Sequence, residues 1–218
     1  MKEQDLARYL VNWLKSQYWE VYQEVEPRKK NSVADIVAVK DKVVWVIETK
    51  TSMSLTLLGQ ALNWKGHGNF ISVCIPQRKP SKALEASMKF LSQNGIGLLE
   101  YTNFPNNFVV SVKPRFDRKR TDIIYESLHE KQKDFAEAGN SDGLRWTPFK
   151  ETCFKLRKEV NLNPGLTLKE YIDKIHHHYN SDKTAIISIR THIRSGLIEG
   201  VIPKIEKNKL RLYPPNKE

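Results

Sequence analysis

Asp35, Glu48 and Lys50 fall in the pattern D-x12-E-x-K. Asp35 lies early in one short apolar run, Ala34 to Val39. Glu48 and Lys50 close a second, Val43 to Lys50, and Asp41-Lys42 between the runs reads as a tight turn. Alternation along an extended strand puts Glu48 and Lys50 on one face and Ile47 and Thr49 on the other. The second run opens Val43-Val44-Trp45-Val46-Ile47, apolar enough to be buried on both faces. Charges at the end of such a strand need partners, because an unpaired buried charge is costly. Two carboxylates on neighbouring strands can share one hard cation, and Mg²⁺ takes oxygen ligands while keeping several waters. One such water could attack a phosphodiester, with Lys50 positioning or deprotonating it and offsetting charge in the transition state. The same residues also suit an ordinary cross-strand ion pair on an exposed sheet face.

The elements around this hairpin bear on that choice. Leu6, Tyr9, Leu10, Trp13, Leu14 and Tyr18 recur at spacings of three and four, so Glu3 to Tyr18 reads as an amphipathic helix. Val21 to Val25 reads as a strand with Val21, Gln23 and Val25 on one face. Ser54 to Trp64 is helical and ends at Gly66-His67-Gly68. Phe70 to Ile75 is a strand stopped by Pro76. Lys82 to Ser92 is a helix opened by Ser81 and closed at Asn94-Gly95. Ile96 to Tyr101 and Phe108 to Val112 are two further strands. This order predicts an α/β domain with a mixed sheet.

Over roughly Glu3 to Val112 the chain resembles the PD-(D/E)XK nuclease superfamily, and within it phage and bacterial predicted nucleases. The resemblance rests on Glu3-Gln4-Asp5-Leu6 in the first helix and Ala34-Asp35-Ile36-Val37-Ala38-Val39 in the strand. It continues in Glu48-Thr49-Lys50 ahead of Ser54-Leu55-Thr56-Leu57-Leu58-Gly59-Gln60-Ala61, and in the late Gly95-Ile96-Gly97-Leu98-Leu99. Ala34 stands in place of the proline of the family's name, a departure that many members tolerate. The resemblance implies a restriction-endonuclease-like mixed sheet flanked by helices. It makes Asp35 and Glu48 metal ligands, the Thr49 carbonyl a third, and Lys50 the catalytic lysine. It also implies Mg²⁺ as cofactor, with Mn²⁺ able to substitute. Glu3 matches the first-helix acid that often completes the site, with Asp5 the weaker candidate; a carboxylate there also suits the helix dipole. Gln60 matches a glutamine near the active site, or else a solvated helix face. Trp64 and Lys65 are candidates for touching nucleic acid, although the spacing of Trp64 also fits the core.

From Lys113 the composition changes. Lys113 to Arg120 is basic and contains proline, a linker candidate, and a polar helix over Asp122 to Ala138 and a loose loop over Gly139 to Gly143 follow. Thr147-Pro148 opens a helix running to about Val160. Thr167-Leu168-Lys169-Glu170 is a capping box, and Ser181 caps a third helix with Ile186, Ile189 and Ile193 inward. Ile202 to Glu206 and Leu210 to Tyr213 then flank Lys207-Asn208-Lys209 as a hairpin. Three helices and a hairpin describe a winged-helix-like, mainly helical domain. The expected division is 1–112 nuclease domain, 113–145 basic linker and connecting helix, and 146–218 winged-helix-like domain. Lys183, Arg190 and Arg194 on the third helix and Lys207 and Lys209 on the hairpin are the candidate nucleic-acid contacts. A winged helix that binds protein is the other reading. His176-His177-His178, read as helical, would point about 100° apart and could not converge on one ion.

Composition bounds the rest. The 218 residues carry a formal net charge of +11, 39% hydrophobic and 28% charged residues, which suits a globular protein with a polyanionic partner. No apolar run nears the ~18 residues of a membrane span, and the polar N-terminus lacks a signal-peptide core. Cytoplasmic residence in a bacterium or phage-infected cell is the expectation, with Cys74 and Cys153 as free thiols. The function expected is a metal-dependent DNA endonuclease, with RNA also open as substrate. The protein would act as a homodimer or within a larger nucleoprotein complex. The alternatives are a nuclease-fold binding protein and an accessory subunit that needs its partners.

Overall fold

The computed structural model describes residues 1–27, 30, 32–103, 107–134, 138, 145–206 and 208–215. The chain divides into two compact units, Met1–Trp146 and Thr147–Glu218. The first is built from α1 (Glu3–Ser16), β1 (Glu20–Val25), β2 (Ala34–Lys40), β3 (Val43–Thr49), α2 (Leu55–Asn63), β4 (Phe70–Pro76), α3 (Lys82–Asn94), β5 (Gly97–Thr102) and β6 (Asn107–Val112). The six strands form one sheet in sequential order. The β3–β4 and β4–β5 pairs are parallel and the rest antiparallel, so the sheet is mixed.

Each face of the sheet carries its own core. On one side α1 buries Leu6, Leu10 and Leu14 against Ile36, Ala38, Trp45, Ile47 and Leu99. On the other, Leu57, Ala61 and Trp64 from the α2 region and Leu91 from α3 cover Val37, Val44, Val46, Val73 and Leu98. Burial on both faces explains the unbroken apolar run from Val44 to Ile47. The hairpin turn uses Asp41 and Lys42, both in the left-handed region at φ 49° and 67°, which matches the twist of the strands it joins. Ser54 and Ser81 cap α2 and α3 through their hydroxyls, and α3 closes on Gly95 at φ 71°.

Several expectations are corrected. Val21 and Val25 do not share a face: Glu24 at φ 51° breaks the alternation, so Val21 joins the α1-side core and Val25 the other. Residues 113–121 are no free linker. Arg115 N donates to Gly95 O (2.9 Å), Asp117 N to Asn69 O (2.8 Å) and Thr121 N to Gly66 O (2.8 Å). The Arg120 guanidinium, only 12% exposed, reaches Asn69 Oδ1 at 2.8 Å and the Lys42 carbonyl at 3.0 Å. Arg120 is thus a structural fork that satisfies turn carbonyls. Of the helix expected over Asp122 to Ala138, residues 122–134 form instead two short 3₁₀ turns, Tyr125–Ser127 and Glu130–Lys133, and residues 135–137 lie outside the described residues. That segment has no continuous apolar stripe to bury. It is pinned instead by Ile124 in one core and Ala138 in the other. The loop expected over 139–143 lies outside the described residues.

The second unit contains α4 (Pro148–Leu162), α5 (Leu168–Lys174), α6 (Asp182–Arg194), β7 (Ile202–Glu206) and β8 (Lys209–Tyr213). Leu156, Val160, Tyr171, Ile172, Ala185, Ile189 and Ile193 make its core, with Leu212 as the hairpin's anchor. Ile186 packs at the rim of that core, and Ala185 takes the fully buried position. Gly165 N and Leu212 N exchange bonds with Leu212 O (2.8 Å) and Leu166 O (3.1 Å), joining β8 to the connection between α4 and α5. The histidine run does not lie on a helix, because α5 ends at Lys174. His177 Nε2 contacts Asp182 at 3.0 Å and His178 Nδ1 contacts Thr152 Oγ1 at 2.8 Å, so the two side chains serve different neighbours.

Candidate active site

The β2–β3 register sets Ile36 opposite Ile47, which carries Asp35 level with Glu48 one position further on. Lys50 follows immediately, its backbone N–H donating to the Cys74 carbonyl at 3.0 Å, so β4 fixes the chain at that point. The three residues therefore gather where β3 ends. Asp35 Oδ2 accepts the Thr49 N–H at 2.8 Å and the Thr49 hydroxyl at 3.2 Å. Glu48 is 1% exposed, and its Oε1 accepts the Trp64 indole N–H at 2.5 Å. Lys50 Nζ donates to Glu3 Oε1 at 2.7 Å, which ties α1 to the end of β3.

Burial makes the ionised forms of both carboxyls costly. Asp35 titrates above the usual carboxylate range, pushed up by burial and held back by the Thr49 N–H. Glu48 is raised well above it, first by burial and then by the adjacent Asp35 charge, with the Trp64 N–H opposing. Two such carboxyls side by side resist double ionisation unless a cation joins them. Burial lowers Lys50, but the Glu3 carboxylate that it donates to more than offsets this, and the ammonium titrates above its ordinary range.

Among the described residues of the first unit, two buried side-chain oxygens have no hydrogen-bond partner: Glu48 Oε2 and Gln60 Oε1. Gln60 lies on α2, one helical turn before Trp64. No group of three or more His, Cys, Asp or Glu side chains among the described residues is arranged to hold a metal ion. Glu3 is engaged by Lys50, which leaves Asp35 and Glu48 as the carboxyls that face each other across the β2–β3 pair. A buried carboxylate with an unsatisfied oxygen beside a half-buried one is a donor set for a hard, oxygen-seeking cation that keeps its waters.

Two neighbours escape a reading by spacing alone. Trp64 is 1% exposed and core-packed, yet it is also the hydrogen-bond partner of Glu48. The four-residue separation from Gln60 is the one signal that could have linked it to the site. Arg78, in the loop after β4, donates to the Thr51 carbonyl at 2.7 Å, which puts a guanidinium beside the segment that follows Lys50.

The other candidates lie in the second unit. Lys183, Arg190 and Arg194 are exposed and spaced by seven and four, so they share one stripe of α6 with Ile187, itself 57% exposed. Lys209 is exposed at the start of β8, and Lys207 lies outside the described residues. No described helix is long and apolar enough to cross a membrane.

Comparison with known proteins adds one family. The profile of the nuclease-related domain, NERD, matches residues 1–113. No curated protein matches the chain. Among solved structures, the crystal structure of AF1548, a protein of unknown function, is similar at 13% identity. The match covers 89% of this chain and 100% of that one, with a TM-score of 0.37.

Proposed function

Because the chain belongs to the nuclease-related domain family, we propose that it is a metal-dependent nuclease hydrolysing phosphodiester bonds in DNA, with the second unit gripping the substrate. The observation that carries this reading is the pairing of half-buried Asp35 with buried Glu48, both raised, with Glu48 Oε2 left unpartnered. Asp35 and Glu48 would hold Mg²⁺ or Mn²⁺, with the Thr49 carbonyl beside them. The bound cation would supply an activated water and neutralise charge on the scissile phosphate. Lys50 stays protonated through its bond to Glu3, which favours a donor over a base. It orients the attacking water and offsets the negative charge that gathers on the phosphate oxygens. Gln60, on the helix that also carries the indole partner of Glu48, offers a further polar contact at the site.

Substrate grip falls to the basic stripe of α6, with Lys183, Arg190 and Arg194, and to the hairpin with Lys209. The winged-helix reading is supported by three helices followed by a hairpin that also pairs with the α4–α5 connection. Arg78 would add a phosphate contact next to the site. A second reading rests on the Glu3–Lys50 pair, which leaves two carboxylates at the strand ends: a nucleic-acid-binding or accessory subunit that cuts only within a partner complex.

The test is cleavage of labelled duplex, single-stranded and branched DNA, and of RNA, by purified protein in Mg²⁺ or Mn²⁺. Lys50→Ala is the control. Metal-dependent cutting lost in the variant is the expected result. A folded wild type that binds DNA but cuts nothing in either metal sinks the self-sufficient nuclease and favours the accessory subunit.

A further inference from the structure

We infer that Trp64 is a positioning residue that fixes Glu48 as a one-oxygen ligand, an inference that rests on the metal-site reading above. A buried indole N–H requires an acceptor, and this one finds Glu48 Oε1 at 2.5 Å. Both side chains are 1% exposed, so water cannot replace either partner. The bond engages Oε1, and Oε2 has no hydrogen-bond donor, so Oε2 is the oxygen more open to a cation.

The ring itself is held from several sides. Trp64 sits at the C-cap of α2, with its backbone N–H donating to the Ala61 carbonyl at 3.2 Å and the Lys65 N–H donating to the Leu62 carbonyl at 3.1 Å. The Trp64 carbonyl accepts the His67 N–H at 2.9 Å. Lys30 lays its ammonium 4.9 Å from the ring centroid and donates to the Asn63 carbonyl at the end of α2. The Trp64 side chain belongs to the same buried core as Val44, Val46 and Val73, which limits its movement. A carboxylate on a strand end has freedom to rotate about its terminal torsion. The indole removes that freedom before any cation arrives, and partners of this kind set ligand orientation and affinity.

The test compares wild type with Trp64→Phe, which keeps most of the ring volume and removes the N–H. Mn²⁺ binding is measured by calorimetry, and the indole N–H resonances by NMR, with that of Trp64 identified by its loss in the variant. Three results are expected. The Trp64 resonance moves in Glu48→Ala and on adding Mg²⁺. Trp64→Phe melts within a few degrees of wild type. Its Mn²⁺ affinity falls about 10- to 100-fold, while Glu48→Ala loses binding altogether. Equal Mn²⁺ affinity in Trp64→Phe and wild type overturns the positioning role and leaves the nuclease reading intact. A Trp64 resonance indifferent to Glu48→Ala overturns it without reference to any metal. Wild type that binds no Mn²⁺ overturns both. If Trp64→Phe does not fold, the Trp64 indole resonance is assigned in wild type by triple-resonance spectra instead, and its response to Glu48→Ala and to Mg²⁺ decides the matter.

Discussion

Glu48 and Asp35 each hold a proton more tightly in the folded chain than in the unfolded one, because burial penalises their charge, and the Asp35 charge raises Glu48 further. The native state therefore binds more protons than the unfolded state above the ordinary glutamate value of 4.5. Stability from this pair is fully present in acid and is lost as pH rises through the folded values. In chelator, Glu48→Gln should match wild type near pH 4 and out-melt it at neutral pH. The gain is about 2–4 °C for each kcal/mol of relieved charge burial. Melting curves across that range check this; a wild-type advantage at neutral pH would refute it. Added Mg²⁺ should reverse the order by stabilising wild type alone. Lys50→Ala, by contrast, should barely alter melting. Its pair with Glu3 is 34% and 24% exposed at the side chains, and such ion pairs contribute about 1 kcal/mol or less. Cleavage by this variant should fall about 10²- to 10⁴-fold, as read by single-turnover kinetics.

At the scale of elements, α2 carries Gln60 and ends at its C-cap, Trp64, and its start is fixed by the Ser54 hydroxyl accepting the Leu57 N–H at 3.1 Å. Ser54→Ala should cost about 1 kcal/mol in urea unfolding, the usual value of such a cap. The β2–β3 turn runs the other way. Lys42 occupies φ 67°, where a side chain costs about 1–2 kcal/mol and glycine pays mainly in chain entropy. Lys42→Gly should therefore stabilise by about 0.5–1 kcal/mol. A loss of stability there would mean that the turn is held by something other than its backbone twist. The Arg120 bond to the Lys42 carbonyl is available in either variant, since it uses the main chain.

For the whole molecule, the net charge of +11 predicts DNA affinity that falls steeply with salt. Each phosphate contact contributes about 0.9 to the slope of log affinity against log salt. Replacing Lys183, Arg190 and Arg194 together with alanine should flatten that slope by about 2–3, measured by fluorescence anisotropy on a duplex. An unchanged slope would move the substrate grip away from α6. The basic run at 113–120 is a weaker place to look, because Arg120 is already bound within the first unit.

The element order of the first unit was legible in the sequence because its signals are local. Alternating Val and Ile, serine caps and the Asn94-Gly95 stop act over a few residues, and they brought Asp35, Glu48 and Lys50 to neighbouring strand ends. The helix expected over 122–138 failed for the converse reason: its polar residues carried no stripe, and two isolated anchors decided its path. Tertiary structure alone decided which groups the site residues touch. Lys50 meets Glu3 across 47 positions and Glu48 meets Trp64 across 16. Neither distance is set by any local period; each follows from α1 and α2 packing on opposite faces of one sheet. The same packing turned an apparent linker into a bonded strap, since a basic side chain such as Arg120 is read as solvated until unsatisfied carbonyls are found within its reach.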